Sequence, residues 1–118
     1  MSSDEFGSDN SCSESEPFAL QVLGDSMEPE FPDSCIITLE PKNVCESGMY
    51  IMAMVEDTRW FRLYLNDDQG ERLVALNDMY PEIPLEGLSW KVEALCTQRT
   101  LRRNQTASGR RESKHYTY

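Results

Sequence analysis

Two short runs that alternate apolar and polar residues, 60–65 and 72–76, are separated by Asn66-Asp67-Asp68-Gln69-Gly70. No other pattern in the chain narrows the possible folds as far. Alternation with a period of two puts every second side chain on one face of a strand. An Asn/Asp/Gly cluster between two such runs supplies the backbone conformations of a tight hairpin. The rest of the central region repeats the theme. Residues 18–23 alternate, with Phe18, Leu20 and Val22 on one face. Pro29 and Pro32 then discourage any long helix. Residues 36–39 are short and rich in β-branched side chains, which suits a strand. A loop over 41–47 is closed by Gly48, and residues 49–55 are apolar on both faces, as in a strand buried between layers. After a turn-rich link over 77–84, residues 88–95 form a last run, with Leu88, Trp90, Val92 and Ala94 inward and Lys91 and Glu93 outward. The expectation is a mostly β domain of short antiparallel strands over residues 17–98.

The two ends read differently. Residues 1–16 are Ser, Asp and Glu with one aromatic, Phe6, and cannot bury enough surface to offset ordering entropy. That acidic segment is expected to be disordered, and so is the polar, basic tail over 99–118. No helix-turn-helix pattern precedes residue 17, so no DNA-binding half is expected. The formal net charge of −10 opposes nucleic-acid binding by the body of the protein and leaves only the basic tail for such a contact. No apolar run is long enough to cross a bilayer and no secretory signal opens the chain, which points to the cytoplasm and away from membranes. Cys12, Cys35, Cys45 and Cys96 have no metal-ligand spacing, and the single histidine is His115, so no metal site is expected. In a reducing compartment such cysteines behave as small apolar residues, with a single disulfide left open.

The chemistry centres on Gly24-Asp25-Ser26-Met27-Glu28-Pro29. Read alone, a serine there is a turn residue that bonds nearby amides. With the segments that follow, residues 18–97 resemble the Ser–Lys peptidase domain of the LexA and UmuD family, soluble relatives of signal peptidases. In that family this motif carries the nucleophilic serine, which falls on Ser26. Gly24, Asp25, Met27 and Arg62 then line its cleft, and Asn77-Asp78-Met79-Tyr80-Pro81 matches the family's Asn-x-x-Tyr-Pro segment. The resemblance implies a compact fold of curved antiparallel strands, a homodimer, a cleft able to take an extended peptide, and neither cofactor nor metal.

The same resemblance exposes departures. A serine hydroxyl needs an adjacent base, and the family uses a lysine on the first hairpin strand, neutral because it is buried. Matching Arg62-Leu63 to the family's Arg-Leu pair puts Phe61 in the lysine position. Phenylalanine has no titratable atom, and strand alternation sends Arg62, which stays protonated, to the opposite face. Lys42 lies in a loop, Lys91 on an outward face, and Lys114 and His115 in the tail. The family's Asp-Gly-Asp turn is Asp33-Ser34-Cys35, and no Ala-Gly or Cys-Gly cleavage pair precedes Ser26. The reading is a catalytically inactive dimerisation or protein-binding module in a bacterial or phage regulatory setting, such as transcription or the SOS response. Its alternative is a self-cleaving serine peptidase that uses Ser26 with a non-standard base, for instance Lys91 or a residue of a partner.

Overall fold

The computed structural model describes residues 16–118, so the acidic segment 1–16 lies outside the described residues apart from Glu16. Eight strands form one sheet: β1 (Phe18–Gln21), β2 (Ile36–Pro41), β3 (Met49–Val55), β4 (Thr58–Asp67), β5 (Gly70–Val74), β6 (Ile83–Pro84), β7 (Trp90–Leu101) and β8 (Glu112–His115). They run in the order β1-β2-β7-β3-β4-β5-β6, with β8 added beside β7. Every pairing is antiparallel. The fold is therefore the mostly β domain that the alternating runs imply. Among the described residues no helix is long and apolar enough to cross a membrane.

The hairpin that constrains the sequence closes as its residues dictate. Asp67 pairs with Gly70, whose φ of 97° is the left-handed conformation open to glycine, and the Asp67 carboxylate accepts from the Gln69 amide at 3.0 Å. β3 divides its apolar side chains between two cores. Ile51, Ala53 and Val55 join Tyr64, Leu73, Leu85, Val92 and Leu95 on one side. Tyr50 and Met52 pack on the other, against a cluster that includes Met27, Phe31, Cys35, Ile37, Leu39, Ala94 and Cys96. Burying one side chain the size of Phe31 stabilises the fold by about 1.5–3 kcal/mol. Both cores rest on β7, whose register slips between its Ala94 and Val92 partners on β3, so that Val92 and Ala94, two residues apart, serve opposite clusters.

Three expectations need correction. The first strand ends at Gln21, and its side chains stay exposed: Phe18 is 36% and Leu20 43% accessible, and only Val22, just beyond it, is buried. β1 pairs with β2 alone, so it is an edge strand of the sheet. Leu88 does not point inward; it precedes β7 and is exposed. Most consequential, residues 99–118 are not a disordered tail. β7 continues to Leu101, a 3-10 turn follows at Arg103–Gln105, and β8 pairs back on β7 from Leu101↔Glu112 to Gln98↔His115. The hairpin is held by groups remote in sequence. Tyr116 packs beside Phe31 and Tyr50, with ring centroids 5.6 and 5.4 Å apart, and the Tyr118 hydroxyl donates to the Cys96 carbonyl at 2.7 Å.

Candidate functional site

Ser26 begins a tight turn over residues 26–30, stopped by its prolines before it lengthens. The Glu28 amide donates to the Asp25 carbonyl at 3.2 Å and the Phe31 amide to the Met27 carbonyl at 2.9 Å. Gly24 takes a φ of 91°, and its amide donates to the Asp33 carboxylate at 2.7 Å. Met27 and Phe31, 1% and 0% accessible, anchor the turn in the core and leave Ser26 at the surface of a cleft.

The segment after the hairpin clasps this turn. The Asn77 amide donates to the Ser26 carbonyl at 3.0 Å, its side-chain amide to the Asp25 carbonyl at 3.2 Å, and the Tyr80 hydroxyl to the Asp25 carboxylate at 2.6 Å. That last bond raises the Tyr80 pKa and keeps the phenol a donor, not a base. Asn77, Tyr80 and Asp33 are positioning residues that sequence reasoning passed over, although the Asn-x-x-Tyr-Pro pattern was the signal for two of them.

The group facing the Ser26 hydroxyl is Arg62. Its Nη1 donates to Ser26 Oγ at 3.1 Å and to the Phe61 carbonyl at 2.9 Å, and its guanidinium carbon lies 5.0 Å from the centre of the Trp60 ring. Phe61 packs instead edge-on against Phe31, centroids 4.9 Å apart, on the core side. Phe61 still lines the Ser26 cleft, while Arg62 supplies the polar contact to the hydroxyl. Alternation does separate the two residues, but β5 leaves the ladder at Leu63↔Val74, so β4 has no neighbour on that side at Arg62. Its long side chain reaches round the open edge to Ser26. Burial lowers the Arg62 pKa, yet guanidinium begins so high that it stays protonated.

No described lysine takes part in a hydrogen bond to Ser26. Lys42 sits 4.0 Å from Glu40, Lys91 is exposed opposite Met54, and Lys114 is bound to Glu30 at 2.7 Å. Cys35, Cys45 and Cys96 are free thiols; burial pushes Cys35 and Cys45 up to about 11 and Cys96 up to about 12, so none is a nucleophile at neutral pH. Among the described residues no cluster of His, Cys, Asp and Glu could hold a metal ion.

The cleft has a volume of about 380 Å³ and brings Gly24, Ser26, Met27 and Arg62 together with Leu20, Leu23, Trp60 and Tyr80. Asp25 reaches it only through Tyr80. The site is thus a serine in a tight turn, held by Asn77 and Tyr80 at the mouth of the cleft. The profile of a known family, described as Peptidase S24-like, matches residues 3–96. The chain belongs to that family. Over 77 residues it is 34% identical to the HTH-type transcriptional regulator for conjugative element SXT of Vibrio cholerae, covering 59% of this chain and 36% of the regulator. Over 67 residues it is 33% identical to the LexA repressor of Leptospira interrogans, covering 56% of this chain and 33% of the repressor. The chain thus spans about a third of the length of the curated relatives it matches.

Proposed function

We propose that this chain is a regulatory module on the peptidase scaffold that binds protein partners without hydrolysing them. The observation that carries the reading is the 3.1 Å contact between Ser26 Oγ and the Arg62 guanidinium. A general base must accept the serine proton, and a permanent cation has no lone pair to accept it. Arg62 instead donates to the hydroxyl, which stabilises the ground-state serine. The names of the relatives, transcriptional regulators and a repressor, support a regulatory setting. Support for self-association comes from β1, an edge strand with exposed Phe18 and Leu20 followed by Leu23 at 77% accessible.

The test is intact mass after treatment with a fluorophosphonate probe, on wild type, Ser26→Ala and Arg62→Lys. Wild type is expected to stay unlabelled. Arg62→Lys places an amine at the same strand position, where burial favours its neutral form. It is expected to gain labelling that a further Ser26→Ala change abolishes. Ser26-dependent labelling of the wild type sinks the reading and restores the alternative, a peptidase with its base elsewhere.

A second role has its own observation. Arg102, Arg103, Arg110 and Arg111 are all exposed on the connection between β7 and β8, and none forms a salt bridge among the described residues. On an acidic body this basic edge is suited to a phosphate backbone. Binding of duplex DNA that weakens steeply with salt, and is lost when the four are changed to Ser, is the expected result. Salt-independent binding, or none, removes the role.

A further inference from the structure

Arg62 has more donors than the protein gives it acceptors. The residue is 9% accessible, and Nη1 alone makes both of its hydrogen bonds, to Ser26 Oγ and the Phe61 carbonyl. Nε is buried without a partner, and Nη2 has none among the described residues. Nε is buried beyond a ligand's reach, so Nη2 is the donor that an entering carboxylate meets. The other two arginines with a buried Nε are neutralised. Arg72 is bound to Asp67 at 2.7 Å and lies 3.4 Å from Glu82, and Arg99 lies 3.4 Å from the Glu30 carboxylate. Arg62 has no carboxylate within 4.0 Å among the described residues. The acid of the serine turn, Asp25, is held by Tyr80, and the neighbouring cation, Arg59, is spent on Glu93 at 2.7 Å. A buried cation without a counter-ion costs several kcal/mol, and that cost falls when an anion enters.

Ser26 completes the site. Its Oγ accepts from Arg62, so its own proton is available to a second oxygen 3 Å or so away. Leu20, Leu23 and Trp60 give the cleft apolar walls, and β1 offers the unpaired edge on which an extended segment adds as a strand.

We propose that the Ser26–Arg62 cleft is a carboxylate receptor, taking a peptide that presents either its terminal carboxylate or an acidic side chain to Arg62, with an apolar residue against Leu20 and Trp60. The inference deepens the reading that this site binds and does not hydrolyse, and its test keeps the two apart. The probes are N-acetyl-Leu-Leu with a free carboxylate, its C-terminal amide, and N-acetyl-Leu-Glu-amide, titrated into the ¹⁵N-labelled chain while the Arg62 Nε–Hε resonance is followed. One or both acids are expected to shift that resonance and bind about tenfold more tightly than the neutral amide. Preference for the first acid identifies a chain terminus as the ligand, and preference for the second an acidic side chain. The advantage is expected to vanish in Arg62→Gln and to shrink in Arg62→Lys, which keeps the charge but loses the planar Nη2 donor. Equal binding of acids and amide by wild type, or no shift with any of them, overturns the proposal even if a variant fails to fold. Labelling of wild-type Ser26 by fluorophosphonate overturns the non-hydrolytic reading separately, whatever the titration gives.

Discussion

The turn that presents Ser26 and the hairpin that ends the chain pack against the same aromatic ring, yet they are held in opposite ways. The Ser26 turn is fixed largely by its own neighbourhood: prolines, a left-handed glycine, and backbone bonds between residues three or four apart. The terminal hairpin has basic, polar residues with no strand pattern, and beyond its ladder with β7 it is tied to residues more than 60 positions upstream. Phe31 meets Tyr116, and the Glu30 carboxylate accepts from Lys114 at 2.7 Å and Tyr116 at 2.6 Å, while Arg99 donates to the Glu30 carbonyl at 2.7 Å. Local chemistry shapes one region. The other adds to its ladder with β7 a surface that the first has already built.

That contrast is broken most directly at the shared anchor. Phe31 is fully buried and touches Tyr50, Phe61 and Tyr116. Phe31→Ala is expected to cost about 3–5 kcal/mol in urea unfolding, a large part of a small domain's stability. A loss under about 1 kcal/mol would show that the two regions do not depend on this ring. Tyr116→Ala, on the hairpin side, is expected to cost about 2–4 kcal/mol, less because Tyr116 is only partly buried. Arg103→Ala, on the exposed turn of the same hairpin, serves as its control and is expected to change stability by less than about 0.5 kcal/mol. Equal, small effects would return residues 102–118 to the disordered tail their composition suggests.

The difference also explains what could be read in advance. Strands β3, β4 and β5 were legible because alternation and the Asn66–Gly70 cluster act over a few residues. The Ser26 turn was legible through its motif. The β3–β4 turn was not: Glu56 and Asp57 both adopt positive φ, 48° and 72°, without the Asn or Gly that normally announces such a turn. Arg62 was placed in the cleft, but its contact with the Ser26 hydroxyl was not foreseen, because alternation alone sets it on the face opposite Phe61. Which residue meets Ser26 depends on where β5 leaves β4, and no residue type reports that. β8 was illegible because its partners are tertiary.

The ionic tie between the regions gives a smaller effect with a defined pH dependence. Burial raises the Glu30 pKa, but hydrogen bonds from Lys114 and Tyr116 and the nearby Arg99 outweigh it, and the net shift is downward. A carboxylate depressed in the folded state contributes stability above its unfolded value, about 4.3, and loses it as pH falls through the lower folded value. Glu30→Gln is therefore expected to cost about 1–2 kcal/mol at pH 7. The gap between wild type and variant should narrow as pH drops below about 4. Unfolding midpoints measured from pH 7 to pH 3 check the sign, and a gap that widens in acid would mean that Glu30 is not the group that titrates.

The smallest expected effect sharpens the contrast from within the local region. Where the resembling family has glycine in its Asp-Gly-Asp turn, this chain has Ser34, and Ser34 still takes a φ of 75°. Its amide donates to the Val22 carbonyl at 2.6 Å, closing the loop that carries Ser26, while its hydroxyl makes no hydrogen bond among the described residues. An L residue in the left-handed region costs about 1–2 kcal/mol, and glycine gives back about 0.5–1 kcal/mol through the entropy of its unfolded chain. Ser34→Gly is therefore expected to stabilise the domain by about 0.5–1 kcal/mol, read as a rise in Tm of a few degrees. A fall in Tm would mean that the serine side chain holds something the backbone does not. A rise would show that even the locally determined turn keeps a conformation its own residue disfavours, because the Val22 and Asp33 contacts around Ser26 impose it.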